Sequence, residues 1–104
     1  MSSIKQLLIA ARKLIENPKN WTKRSFARTR SGKVTYNTHP EACKFCAEGA
    51  LIRAQRDSAG EVDLAVYALE KHVGLDVYLT HFNDSHTHQE VLNVFDQAIA
   101  NCSP

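Results

Sequence analysis

Apolar positions in the first sixteen residues fall on one side of a helix. Ile4, Leu7, Leu8, Ala11, Leu14 and Ile15 recur at helical spacing, while Lys5, Arg12, Lys13 and Glu16 take the opposite face. The pattern predicts a helix over 3–16, opened by a Ser3/Gln6 capping box and ended by Asn17-Pro18, since proline cannot continue a helix. Trp21 then stands alone in a polar loop, where an isolated indole near a helix end serves as a lid on the core or as a binding contact. Over 25–36 the period shifts to two: Phe26, Arg28 and Arg30 alternate with Ala27 and Thr29, Ser31-Gly32 turns the chain, and Val34 and Tyr36 alternate with Lys33 and Thr35. This reads as a β-hairpin with Phe26, Val34 and Tyr36 inward and a basic ribbon outward.

Helical spacing returns at Thr38. Thr38 and Glu41 have capping-box spacing, Pro40 suits a first turn, and Cys43, Cys46, Ala47, Ala50, Leu51 and Ala54 form a stripe of mostly small residues. Such a stripe lets a second helix approach closely. After a loop at 56–60, Val62, Leu64, Ala65, Ala68 and Leu69 predict a helix over 61–73, with Gly74 as its stop. Residues 75–82 fit a short helix or an irregular apolar run, and Asn83-Asp84-Ser85 reads as a turn. Thr87 and Glu90 form another capping box, opening a last helix over 88–101 with Val91, Leu92, Phe95, Ala98 and Ile99 on one face. The expected fold class is α+β: about four helices around one core, a β-hairpin between helices 1 and 2, and one small domain over 1–104.

Composition adds bounds. A chain of 104 residues buries roughly 60–65% of the surface that its unfolded form exposes, enough for one modest core. No apolar run approaches the ~20 residues of a bilayer span, and the N-terminus lacks an apolar signal-peptide core, so a cytoplasmic location and no membrane partner are expected. Three cysteines, an odd number, argue against a complete disulfide framework and for a reducing compartment.

The net charge of +2 conceals a polarised chain. Residues 1–56 carry a net +9 and residues 57–104 a net −7, and the six basic residues between Asn17 and Pro40 have no acid among them. That asymmetry points to an anionic partner, unless the two halves neutralise each other on folding.

Three chemistries can be built from the side chains. Cys43-x-x-Cys46 with His86 and His88, or His81, has a zinc-site composition. Against it stand the 34 residues between Cys46 and His81 and the placing of both cysteines inside a predicted helix, on its apolar stripe. The same placing puts the pair one to two turns too deep for a thiolate stabilised at a helix N-terminus. A cysteine enzyme would use Cys46 as nucleophile, His81 as base, and Asn83 or Asp84 to orient the imidazole. Gly-rich phosphate loops and dinucleotide fingerprints are absent, and no cofactor is implied. The third reading is binding of a protein or nucleic acid through Trp21, Lys23, Arg24, Arg28, Arg30 and Lys33, with Lys19 beside them: clustered cations neutralise phosphate or steer an acidic partner, and interleaved aromatics can stack on bases.

Several motifs in order along the chain carry a further signal. They are Trp21-Thr22, Phe26-Ala27, Gly32, Ala42 with Phe45-Cys46-Ala47-Glu48-Gly49-Ala50-Leu51 and Ala54, Phe82-Asn83-Asp84, and Thr87 to Val91 with Phe95 and Ala98. Together they resemble a family of short bacterial and bacteriophage proteins without an assigned activity, a likeness that covers most of the chain. The resemblance implies a phage or mobile-element accessory protein and supplies no mechanism. In its pattern the place of Cys43 is held by another apolar residue, His86 and His88 match nothing, and Phe45 replaces a tryptophan. Cys46, Asn83 and Asp84 do match, which with Trp21 makes them the implied common centre. They serve there either as a functional site or as a packing cysteine and Asx caps that hold loop amides. The leading expectation is a small accessory protein that binds a macromolecule through residues 19–36, and the rival is the Cys46 enzyme.

Overall fold

The computed structural model describes residues 3–57, 61–74 and 76–102. Five α-helices are present among them: α1 (Ser3–Ile15), α2 (Ala47–Asp57), α3 (Val62–Glu70), α4 (Leu79–Ser85) and α5 (His88–Asn101). Two short strands, β1 (Ala27–Arg28) and β2 (Lys44–Phe45), form an antiparallel pair between α1 and α2, with Ala27 opposite Phe45 and Arg28 opposite Lys44. The class is α+β, with one helix more than the periodicity predicts.

The first and last helices form where their apolar stripes place them. In α1 the apolar stripe buries Leu7, Leu8, Ala11 and Ile15. In α5 the Thr87 hydroxyl accepts the Glu90 N–H, the Glu90 carboxylate accepts the Thr87 N–H, and Val91, Leu92, Val94, Phe95 and Ala98 are buried. Arg12 clamps the two helices at the surface, donating to Asp96 (2.6 Å) as well as to Glu16 in its own helix (2.8 Å). The small residues Ala47, Ala50 and Ala54 are buried with Leu51, and α1 packs more extensively on α2 than on any other element. Gly74, at φ +110°, follows α3 as predicted and closes its last turn by donating to the Glu70 carbonyl (3.0 Å).

Four expectations are corrected. First, α2 begins at Ala47 and not near Thr38. No helix forms at the predicted start; His39 instead closes a turn there, its Nδ1 accepting the Glu41 N–H and its carbonyl the Ala42 N–H and an Arg53 N–H. Arg53 and Arg56 bind the carbonyls of Asn37, Thr38 and His39, strapping 37–39 against the side of α2 as a loop.

Second, β1 takes β2 as its main partner, and its predicted partner, 33–36, is reduced to one bridge between Arg28 and Val34. Third, the facing of that segment is reversed. Ala27 is fully buried, whereas Phe26, Val34 and Tyr36 are 44%, 58% and 79% exposed. The cause is Gly49: a Cβ there would lie 2.0 Å from the Phe26 carbonyl oxygen, so α2 runs directly against this backbone and leaves room inward only for alanine. Fourth, Asn83 and Asp84 belong to a helix, α4, the one beyond the four expected, and not to a turn. Of the predicted 56–60 loop, 58–60 lies outside the described residues, as does Leu75.

Candidate functional site

The amino end of α2 is where loop 21–28, β2 and α4 converge. Cys46 occupies the cap position: its carbonyl accepts the Ala50 N–H (2.9 Å) and its sulfur accepts the Gly49 N–H (3.3 Å). Its own N–H donates to the Phe26 carbonyl (3.3 Å). A sulfur is a weak acceptor, so the helix end is under-capped from its own strand of sequence. The rest of the cap arrives from α4. Asn83, fully buried, accepts the Ala47 N–H (3.0 Å) and the Trp21 indole N–H (2.8 Å) on Oδ1. Its Nδ2 donates to the Thr22 carbonyl (3.0 Å) and to Asp84 Oδ1 (3.2 Å), which fills every hydrogen-bonding valence of the side chain.

Asp84 repeats the device one residue on. Its Oδ1 accepts the Arg24 backbone N–H (2.8 Å), and Arg24 sits at φ +66°, a left-handed conformation that costs a non-glycine residue roughly 1–2 kcal/mol. The two side chains hold loop amides as Asx caps do, which is one of the roles that the sequence suggests for them. Trp21 covers the arrangement. Its ring lies 5.5 Å from that of His88, and the Lys23 ammonium sits 5.4 Å above it.

Beside this hub is a cleft of about 340 Å³ lined by Arg24, Ser25, Phe26, Cys46, Thr80 and Asp84. A second cleft, of about 430 Å³, shares Ser25 and Phe26 and runs past Val34 to Tyr36. Phe26 therefore borders both. Sequence reasoning missed Thr80 and Ser25, for which no motif exists, and it placed Phe26 and Tyr36 in the core.

The Cys46 thiol is shaped by burial. Desolvation pushes its pKa up to about 11; the Gly49 and Glu48 amides oppose this, and the Glu48 and Asp84 charges reinforce it. The thiol is thus protonated at neutral pH even though, contrary to the sequence expectation, it stands at a helix N-terminus. Because the folded pKa lies above the ordinary value of 9.0, the contribution to stability is present below pH 9 and is lost as pH rises towards 11. Cys46→Ser keeps an acceptor for Gly49 and does not titrate. The substituted protein is expected to lose less stability than the wild type between pH 8.5 and pH 11, by up to about 2 kcal/mol, in urea titrations followed by circular dichroism. Parallel pH profiles would disprove the assignment.

The other candidate residues disperse. Cys43 lies outside α2, half-buried, with its N–H on the Arg28 carbonyl. His86 stacks on Phe82 (3.9 Å between centroids) with Nδ1 donating to the Phe82 carbonyl, and His88 Nε2 donates to the Ile15 carbonyl (2.6 Å). No three Cys, His, Asp or Glu side chains group to hold a metal ion among the described residues. His81 is exposed on α4, and the Asn83 oxygen that would orient it is taken by Trp21 and Ala47.

The basic residues of 19–36 lie on one face, with Glu41 beside Arg30 and Lys33, and Asp84 beside Arg24, at its margins. Arg28 braces its own turn, donating to the Gly32 carbonyl (2.9 Å) and the Lys23 carbonyl (3.4 Å), and Arg30 reaches the Asn20 side chain (3.1 Å) and the Lys19 carbonyl (3.4 Å). None of Lys19, Lys23, Arg24, Arg28, Arg30 and Lys33 makes an ion pair among the described residues; the two pairs there both belong to Arg12. The acidic half of the chain thus leaves this face uncompensated by direct pairing. No helix among the described residues is long and apolar enough to cross a membrane.

Neither a curated protein nor a solved structure matches the chain. A family model does, over residues 1–101, and the chain belongs to that family, a family of unknown function, DUF6197.

Proposed function

We propose that this protein binds an anionic macromolecule through the face built by residues 19–36, as a small accessory protein of the phage or mobile-element kind that its sequence resembles. The observation that carries the reading is the reversal of the 26–36 segment. It sets exposed Phe26, Val34 and Tyr36 among cations that make no ion pair among the described residues. Exposed apolar side chains scattered singly need no explanation, but aromatics grouped around a groove and flanked by an excess of cations have the composition of an interaction surface. The cations supply long-range attraction and the aromatics supply contact area. The Cys46 enzyme, with Asn83 or Asp84 orienting His81, gains no comparable support: burial keeps its thiol protonated, the Asn83 amide is committed elsewhere, and exposed His81 does not line the cleft shared by Cys46 and Asp84.

The test is a titration of the protein against two fluorescein-labelled probes, a mixed-sequence single-stranded 12-mer and poly-L-glutamate, followed by anisotropy from 50 to 200 mM salt. At least one is expected to bind, with affinity falling steeply as salt rises. Arg30→Glu combined with Lys33→Glu is expected to weaken that binding at least ten-fold and to reduce the log–log salt slope by about two, one for each cation removed. Arg28 is avoided because its guanidinium holds the turn together. If neither probe binds at 50 mM salt, or if the double reversal changes nothing, the proposal fails.

A further inference from the structure

We infer that the cleft at the amino end of α2 seats one unpaired base of a single-stranded nucleic acid, and that it selects bases with an exocyclic amino group. The inference rests on the binding reading above and names the partner. Its starting point is the shape and chemistry of the cleft. At about 340 Å³ it lies at the small end of ligand pockets, roomy enough for a planar heterocycle and its sugar. One wall is the half-exposed Phe26 ring, and a π-face accepts any base by stacking. Arg24 lines the same cleft and supplies a cation for a backbone phosphate there. The second cleft continues from Phe26 to Tyr36, which offers the next base a second aromatic. Aromatics and a basic track set side by side suit a single strand, whose bases are free to splay out, better than a duplex, whose bases are stacked away.

The selectivity comes from Asp84. Both of its hydrogen bonds, from Arg24 N–H and Asn83 Nδ2, fall on Oδ1. Oδ2 takes none among the described residues, and the side chain lines the cleft half-buried. A carboxylate oxygen accepts from an amino group, such as N4 of cytosine. Uracil offers only an N3–H set between two carbonyl oxygens, whose lone pairs repel a carboxylate. Thr80, also lining the cleft, adds a hydroxyl that can donate or accept.

The experiment compares a twelve-residue cytidine homopolymer with the matching uridine homopolymer at pH 7.5 and constant salt, by anisotropy, with the wild type and two variants. The wild type is expected to bind the cytidine strand roughly ten-fold more tightly, within the range for one good base contact. Asp84→Asn keeps an oxygen for Arg24 and turns the other position into a donor. It is expected to erase or invert the preference, with an unchanged circular-dichroism spectrum. Phe26→Ala is expected to weaken both strands by about ten-fold, the loss of one stacking contact. Equal affinity of the wild type for the two homopolymers, or a preference that survives Asp84→Asn, overturns the base pocket while leaving the anionic-face reading intact. Binding of poly-L-glutamate and of neither homopolymer does the same. Cytidine monophosphate binding as tightly as the 12-mer overturns the strand as the ligand. Failure of every polyanion sinks both readings together.

Discussion

Asn83→Leu is expected to lower the unfolding free energy by about 3–5 kcal/mol, the largest loss from any single side chain of this site. Leucine matches the volume but forms none of the four hydrogen bonds. The buried Ala47 N–H and the half-buried Trp21 indole N–H and Thr22 carbonyl then lose their partner, and each unsatisfied group costs about 1–3 kcal/mol where water cannot replace it. Partial entry of water keeps the total below the simple sum. A domain of this size has on the order of 5–15 kcal/mol in all, so the substitution removes a large part of it. Urea unfolding followed by circular dichroism gives the answer: the midpoint is expected to fall with an unchanged slope. A loss under 1 kcal/mol would mean that the amide does not hold α2, α4 and the Trp21 loop together.

Gly49→Ala is expected to cost about 3 kcal/mol or more, against the ordinary trend. In a helix interior alanine is worth about 1 kcal/mol over glycine, so propensity alone predicts stabilisation. Here the added Cβ meets the Phe26 carbonyl oxygen at 2.0 Å and its carbon at 2.8 Å, and both atoms are backbone that no rotamer change can move aside. Either α2 retreats or the 24–28 segment lifts. Lifting that segment breaks the Cys46 N–H bond to Phe26 and pulls Arg24 from Asp84. Thermal unfolding is the check. At about 4–8 °C per kcal/mol for a domain of this length, the midpoint is expected to drop by ~12 °C or more. A midpoint at or above that of the wild type would show that the close approach has no energetic weight. The same variant is expected to bind polyanions less well, because the face and the hub share this backbone.

These two positions mark where the sequence is legible and where it is not. The outer helices can be read from single residues: the stripe from Leu7 to Ile15, and the Thr87/Glu90 box that opens α5. Their signals are local, since cap and helix lie within one turn of each other. The start of α2 is not local. Its cap is a cysteine, a residue that no capping rule favours, assisted by an amide 36 residues away, whereas Thr38 presents a better local motif that the fold leaves unused. The seven residues of α4 give too few turns for a periodicity to emerge, and Asn-Asp-Ser favours a turn reading. The facing of Phe26 is fixed by a glycine 23 positions later, because a strand shifted by one residue exchanges its faces. At the site, the basic residues and the Cys46, Asn83 and Asp84 grouping could be nominated from sequence. The cleft they border could not, because Ser25 and Thr80 belong to no motif and come together only in the fold.

Trp21 is the sole tryptophan of the chain, and its indole is bonded to the amide that joins α2 to α4. The protein thereby carries its own optical reporter at the point where fold and cleft meet. The Thr22 N–H, next along the chain, is tied to the Phe45 carbonyl, and Lys23 and His88 flank the ring. Any loosening of the hub changes the polarity around that one fluorophore, and so does any ligand that displaces Lys23 from it. Intrinsic emission can therefore follow unfolding and occupancy in unlabelled protein, with no background from a second indole.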